Sequence, residues 1–320
     1  MKIRSSIPTV FRVVLAGCAI VCFVCISPFA ASAANNGAVP FSKTDLLPIL
    51  HAAVANPAAK PFPGIAPRAY LVADLDSGEI LSEKNSKAKL PIASLTKLMT
   101  ATIAFERVDL QKKITIQKSM LAPYGYSPNL IAGKSFSLAQ LLYPVLVESS
   151  NDAAQAMSCF VGNKQMIKLM NGKARSLYMG STNYSDAHGL SPKNTSTVRD
   201  LFYLARYISK NHPKLFEITR GNDVAGIGAA PYAGMKNKNL VYGLPDFVGG
   251  KTGYIPESNY NGLFIFNLPL ADGSSRKIAI IVLGAPHLQA GNQNLKSDVV
   301  LTLDWLKKTY GAQADRLVVN

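Results

Sequence analysis

The chain has 320 residues, 48% of them hydrophobic, and carries 34 Lys and Arg against 19 Asp and Glu for a formal net charge of +15. That length holds one large domain or two interlocked lobes. Neither zinc-finger spacing nor an aromatic–basic ribonucleoprotein motif accompanies the charge, so nucleic acid is not the expected partner.

Lys2, Arg4 and Arg12 precede an apolar run, Val13 to Ile26, and Ala30-Ala31-Ser32-Ala33 follows it. A basic start, an apolar middle and a small-x-small end read as a secretory leader over residues 1–33, cut after Ala33. Two other readings of this stretch are a retained membrane helix and a lipoprotein box at Leu15-Ala16-Gly17-Cys18. The apolar stretch before Cys18 is shorter than the usual leader core of about 7–15 residues, which favours the simple leader. Without the leader the charge is about +12, still strongly basic. An exported protein of that charge meets acidic envelope polymers. Only Cys159 lies beyond the leader, so no disulfide forms within the remaining chain.

Residues 34–63 read as an arm, and the prolines from Pro57 to Pro67 mark an extended connection rather than a second domain. The main domain is expected over 64–310. It opens with a strand, Ala69 to Asp74, a turn at Asp76-Ser77-Gly78 and a return strand from Glu79 to Leu81. From Ser94 to Glu106 the apolar positions fall at helical spacing, with Leu95, Leu98, Met99, Thr102 and Phe105 on one side. Helical patterns continue over 138–147, 152–160, 164–177 and 198–209. Strand-like runs return at 247–252, 262–268 and 277–283, the last two joined by a turn containing Asp272-Gly273, and a helix is expected over 295–310. Strands at both ends with helices between predict an α+β fold: one antiparallel sheet flanked by helices, with a helical lobe inserted. Ser94 then lies at a lobe boundary, where clefts form.

Ser94 and Lys97 are three residues apart and share a helix face. A lysine serves as general base only with a lowered pKa, through desolvation or a neighbouring cation. The spacing alone is common, since Ser274-Ser275-Arg276-Lys277 repeats it at a turn leading into a strand. Two further elements separate Ser94 from Ser274. Ser149-Ser150-Asn151 falls between helical segments, and Lys251-Thr252-Gly253 follows Gly249-Gly250 on an expected strand, where Gly253 would let a substrate backbone approach. The order Ser-x-x-Lys, Ser-x-Asn, Lys-Thr-Gly is that of a penicillin-binding serine enzyme.

The chain resembles the low-molecular-mass penicillin-binding proteins, the serine-type D-alanyl-D-alanine carboxypeptidases, over nearly all of residues 64–310. The resemblance is carried by Pro91-Ile92-Ala93-Ser94-Leu95-Thr96-Lys97, Ser149-Ser150-Asn151-Asp152-Ala153, Asp186-Ala187-His188-Gly189-Leu190 and Gly250-Lys251-Thr252-Gly253-Tyr254. It implies the fold shared by β-lactamases and DD-peptidases, peptidoglycan stem peptides as substrate, and β-lactams as covalent inhibitors. It also implies an acyl-enzyme at Ser94, with Lys97 taking the proton and Asn151 holding Lys97 and the substrate amide. Ser149 would relay a proton to the leaving amine. Lys251 would help keep Lys97 neutral and, with Thr252, orient the substrate. The backbone N–H groups of Ser94 and Tyr254 would form the oxyanion hole.

The sequence departs from that family pattern after the last long strand, where Leu283-Gly284-Ala285-Pro286-His287 lacks an arginine. Lys236 or Lys238 is the candidate replacement, but a lysine does not reproduce the bidentate fork of arginine. Endopeptidase action on cross-links therefore stands as the alternative to carboxypeptidase action, beside a low-turnover penicillin-binding wall regulator. A β-lactamase would need a glutamate-held water, and no such glutamate loop is identifiable between Asn151 and Lys251. His51, His188, His212 and His287 form no ligand set, so neither metal nor cofactor is expected. Residues 311–320 read as a short tail without the family's C-terminal β-rich domain, and a periplasmic or other extracytoplasmic setting without a stable membrane anchor is expected.

Overall fold

The computed structural model describes residues 65–121, 125, 129–270, 273–286 and 293–311. The leader, the arm, Cys18, His51, Asp272, His287 and the tail after residue 311 lie outside them. The first elements are β1 (Ala69–Asp74), β2 (Ile80–Lys84), β3 (Leu90–Pro91), α1 (Thr96–Arg107), β4 (Lys113–Thr115) and β5 (Ser135–Ser137). Then come α2 (Leu138–Leu146), α3 (Asn151–Val161), α4 (Asn163–Ser176), β6 (Thr195–Ser196), α5 (Val198–Asn211) and α6 (Pro213–Thr219). The chain closes with β7 (Phe247–Ile255), β8 (Asn259–Pro269), β9 (Ser275–Ala285) and α7 (Gln293–Leu306).

The main sheet has the order β2-β1-β9-β8-β7, every pair antiparallel. The N-terminal hairpin thus pairs with the last strand, and the helical segments between them form the inserted lobe, as the sequence predicts. Side chains alternate between the two sheet faces. Leu71, Leu263, Ile265 and Ile281 join the core shared with the helical lobe, whereas Val72, Phe264, Phe266, Ile278 and Ile280 pack with Leu295, Val299 and Leu306 of α7. Burial on both faces explains why β8 and β9 read as continuous apolar runs. Each fully buried Leu, Ile or Phe contributes roughly 1.5–3 kcal/mol of transfer free energy.

Local signals set the helix starts. Ser137 and Gln140 form a reciprocal capping box at α2, and Thr197 caps α5 through the Asp200 N–H. At α3 the cap is Ser150, whose hydroxyl accepts from Ala153 N at 3.0 Å. Asp152 occupies the first turn of that helix. Pro213 opens α6, a seven-residue helix too short for the sequence pattern to reveal. The expected strands at 247–252 and 262–268 lengthen into a hairpin, β7–β8, turning at Pro256-Glu257-Ser258. No helix among the described residues is long and apolar enough to cross a membrane.

Candidate active site

Ser94 lies in a short 3-10 turn, Ala93–Leu95, directly before α1 rather than in the α-helix proper. Ala93 adopts φ +48°, a left-handed conformation rare outside glycine, and this turns the chain from β3 into the helix. Two glycines press against this turn. A Cβ on Gly189, which has φ +86°, would lie 2.1 Å from the Ala93 carbonyl oxygen. One on Gly253 would lie 2.8 Å from Ser94 N and 3.1 Å from Ala93 Cβ. Gly253 therefore admits the protein's own nucleophile turn to β7, where the sequence reading had a substrate backbone.

One turn into α1, Lys97 is completely buried. Its Nζ donates to Ser94 Oγ at 2.9 Å, Asn151 Oδ1 at 2.7 Å and the His188 carbonyl at 2.5 Å. Burial lowers its pKa to about 7; the Lys238 charge pushes the same way and Asp186 opposes. Lys251, also completely buried, donates to Ser149 Oγ at 2.9 Å and to the Thr252 carbonyl at 2.8 Å. Burial, Lys97 and Lys238 hold its pKa well below the ordinary lysine value. Ser149 has φ +58° at the end of α2, and Asn151 begins α3, so one short connection supplies both side chains.

The structure thus joins Ser94, Lys97 and Asn151 in one hydrogen-bonded group and Ser149 and Lys251 in a second, with the two lysines close enough for the Lys97 charge to lower the Lys251 pKa. Thr252 and Gly253 lie beside them on β7, and the Tyr254 side chain is 46% exposed, its ring centroid 4.7 Å from that of Tyr260. Thr252 Oγ1 donates to the Lys238 carbonyl at 2.8 Å, and Lys238 N donates to the Val147 carbonyl at 2.9 Å. The irregular segment after α6 is thereby stitched to both β7 and the end of α2, which carries the exposed Lys238 charge to the two buried lysines. Lys236 contacts Glu148 through its backbone N–H at 3.4 Å.

Three contributors have no role assigned from the sequence, although Asp186 and His188 stand in one of the segments that carry the family resemblance. The His188 carbonyl accepts from Lys97, while the His188 ring, its pKa lowered by burial, sits over the turn. Asp186 organises that turn by accepting the N–H groups of His188 at 3.0 Å, Gly189 at 2.5 Å and Ser191 at 2.7 Å. Asn194, fully buried, donates to Asp186 Oδ1 and Thr96 Oγ1, both at 3.0 Å, and so ties the turn to the start of α1. An Asp three residues ahead of a glycine was the available signal. No cluster of three or more His, Cys, Asp or Glu among the described residues is arranged to hold a metal.

A serine hydrogen-bonded to a buried lysine, at the seam between an antiparallel sheet and a helical lobe, defines the class of penicillin-binding serine peptidases. The D-alanyl-D-alanine carboxypeptidase family model matches residues 54–286, and the chain belongs to that family of peptidoglycan-peptide hydrolases. It is 35% identical over 208 residues to the D-alanyl-D-alanine endopeptidase of Haemophilus influenzae, covering 62% of this chain and 70% of that protein. It is 32% identical over 170 residues to the D-alanyl-D-alanine carboxypeptidase DacC of Escherichia coli, covering 49% of this chain and 42% of DacC. Penicillin-binding protein D2 of Listeria monocytogenes, solved in a cefotaxime-bound form, is 27% identical with a TM-score of 0.65, covering 77% of this chain and 99% of that one.

Proposed function

We propose that this chain cleaves the D-alanyl-D-alanine bond of peptidoglycan stem peptides through an acyl-enzyme at Ser94. The observation that carries the reading is the buried Lys97 amine, 2.9 Å from Ser94 Oγ with its pKa brought to about 7, so that a large neutral fraction can accept the serine proton. Ser94 Oγ attacks the carbonyl and Lys97 takes its proton. The backbone N–H groups of Ser94 and Tyr254 face the developing oxyanion, an interaction worth about 3–4 kcal/mol in comparable sites. Ser149, held by Lys251, passes a proton to the leaving amine, and Asn151 fixes Lys97 and the substrate amide. Thr252 orients the substrate beside Lys251 and Gly253. Water then releases the acyl group. Residues 64–310 act as the catalytic domain, and the leader sends it to an extracytoplasmic compartment.

Two bonds suit this chemistry. Release of a terminal D-alanine is the carboxypeptidase reading, in keeping with the family description. Cleavage of cross-links is the second, favoured by the lack of arginine at 283–286 and by the likeness to the Haemophilus endopeptidase. A terminal carboxylate calls for a fork-shaped cation, and Lys238, whose charge acts on both buried lysines, is a point charge.

Covalent labelling by penicillin, read by intact mass, tests the nucleophile. An adduct is expected on the unaltered protein and none on Ser94→Ala; an undiminished adduct on the variant would end the assignment. Incubation with monomeric pentapeptide and with cross-linked dimers separates the two bonds. Free D-alanine from the monomer marks the carboxypeptidase, whereas conversion of dimers alone marks the endopeptidase.

A further inference from the structure

At the far end of α1 from the catalytic lysine, a surface cavity of about 320 Å³ opens between α1 and α4. Arg107 and Lys97 are ten residues apart on this helix, which separates their backbones by about 15 Å. Arg107, Lys168, Lys173 and Arg175 line the cavity, and no carboxylate does. Lys173 is occupied, since its Nζ lies 2.6 Å from Glu106 Oε2 and 3.1 Å from the Tyr207 hydroxyl. Arg107, Lys168 and Arg175 make no ion pair among the described residues. Arg107 and Arg175 stand in the last turns of their helices, whose ends each supply about half a negative charge. Three unpaired cations exceed that compensation.

The floor of the cavity holds a second clue. Gly172 sits inside α4 with ordinary helical backbone, where glycine is less stable than alanine. Packing does not require it there: the nearest atom a Cβ would meet is Nη2 of Arg175, at 3.9 Å. What the missing side chain does is leave the dent open beneath a guanidinium.

We propose that this dent is a binding site for a phosphate group. A phosphate monoester carries about −1.5 to −2 charges and three acceptor oxygens at neutral pH. Two guanidinium forks and one ammonium match that ligand, whereas a single carboxylate would leave cations unmatched. The site is separate from the peptidase centre, and occupancy needs no residue of the Ser94 constellation.

The test titrates inorganic phosphate into the purified protein by calorimetry and, in parallel, floats it with phosphatidic acid or phosphatidylcholine vesicles. Saturable one-to-one binding is expected, weakened about tenfold in Arg175→Ala and in Lys168→Ala. Gly172→Gln fills the dent without changing charge, so it should weaken binding as much while the thermal midpoint is kept or raised. Lys112→Ala, an exposed lysine elsewhere, should change nothing. Phosphatidic acid flotation lost in the same variants would name a lipid headgroup as the source of the phosphate; titration without flotation would name a soluble phosphate. No saturable binding in either arm overturns the proposal. So does binding indifferent to Gly172→Gln, or binding lowered equally by Lys112→Ala.

Discussion

The acylation rate of Ser94 should fall tenfold for each pH unit below about 7, because the neutral Lys97 amine is the proton acceptor. With a pKa of about 7, half of Lys97 is neutral at pH 7. At the ordinary value of 10.5, only about one molecule in 3,000 would be. Burial therefore raises the competent fraction roughly 1,500-fold, equivalent to about 4–5 kcal/mol of activation free energy. The assay is single-turnover labelling by a fluorescent penicillin between pH 5 and 9, with Lys238→Met as the comparison. Lys238 presses on Lys97 electrostatically, so its removal lets the Lys97 pKa rise and moves the acid limb to higher pH. A rate that stays flat down to pH 5, or an acid limb that moves to lower pH in Lys238→Met, would refute the reasoning.

Three further outcomes follow from single contacts. Gly253→Ala places a Cβ 2.8 Å from Ser94 N; displacement of the nucleophile should slow penicillin acylation about 100-fold, with a stability loss of only about 1–3 kcal/mol by thermal melt. Ser150→Ala removes the α3 cap and should cost about 1 kcal/mol in urea unfolding. Glu106, held by His212, Lys173 and Tyr207 with its pKa lowered from 4.5 to about 2, contributes stability that is present above pH 4.5 and lost as the pH falls toward 2. That contribution is roughly 3 kcal/mol, so Glu106→Gln should flatten the acid limb of stability measured by urea titration.

Much of this was legible in sequence because the signals were periodic. β8 and β9 show unbroken apolar runs because both of their faces are buried, and α1 is apolar or hydroxylated at every position but Lys97 from Thr96 to Ala104 because that whole stretch is buried. Ser94 and Lys97 could be paired from spacing, and Lys251-Thr252-Gly253 from its place on a strand. What stayed hidden was non-local. Ala93 gives no sign that its φ is positive, since nothing in an alanine demands it. Asn194 carries no signal in the sequence and Asp186 only its place in a family-like segment, until the fold sets them against Thr96 and Lys97. Lys238 could be named as a spare cation, but its reach to both buried lysines depends on how the irregular segment after α6 crosses from Val147 to Thr252.

These hidden features share a cause. The site combines two fully buried lysines with non-glycine residues of positive φ at Ala93 and Ser149, a backbone class that costs of order 1–3 kcal/mol each. A lysine left in water would be a poor base, and a nucleophile turn free to relax would lose its register with Lys97. The restraints therefore come from both sides: the Asp186–Asn194 turn presses Gly189 on Ala93, and β7 presses Gly253 on Ser94. Neither contact can be made by a residue with a side chain without moving the nucleophile. Strain and desolvation are thus held at Ser94 by backbone fit, while the apolar cores on the two faces of the sheet supply the stability that lets them persist.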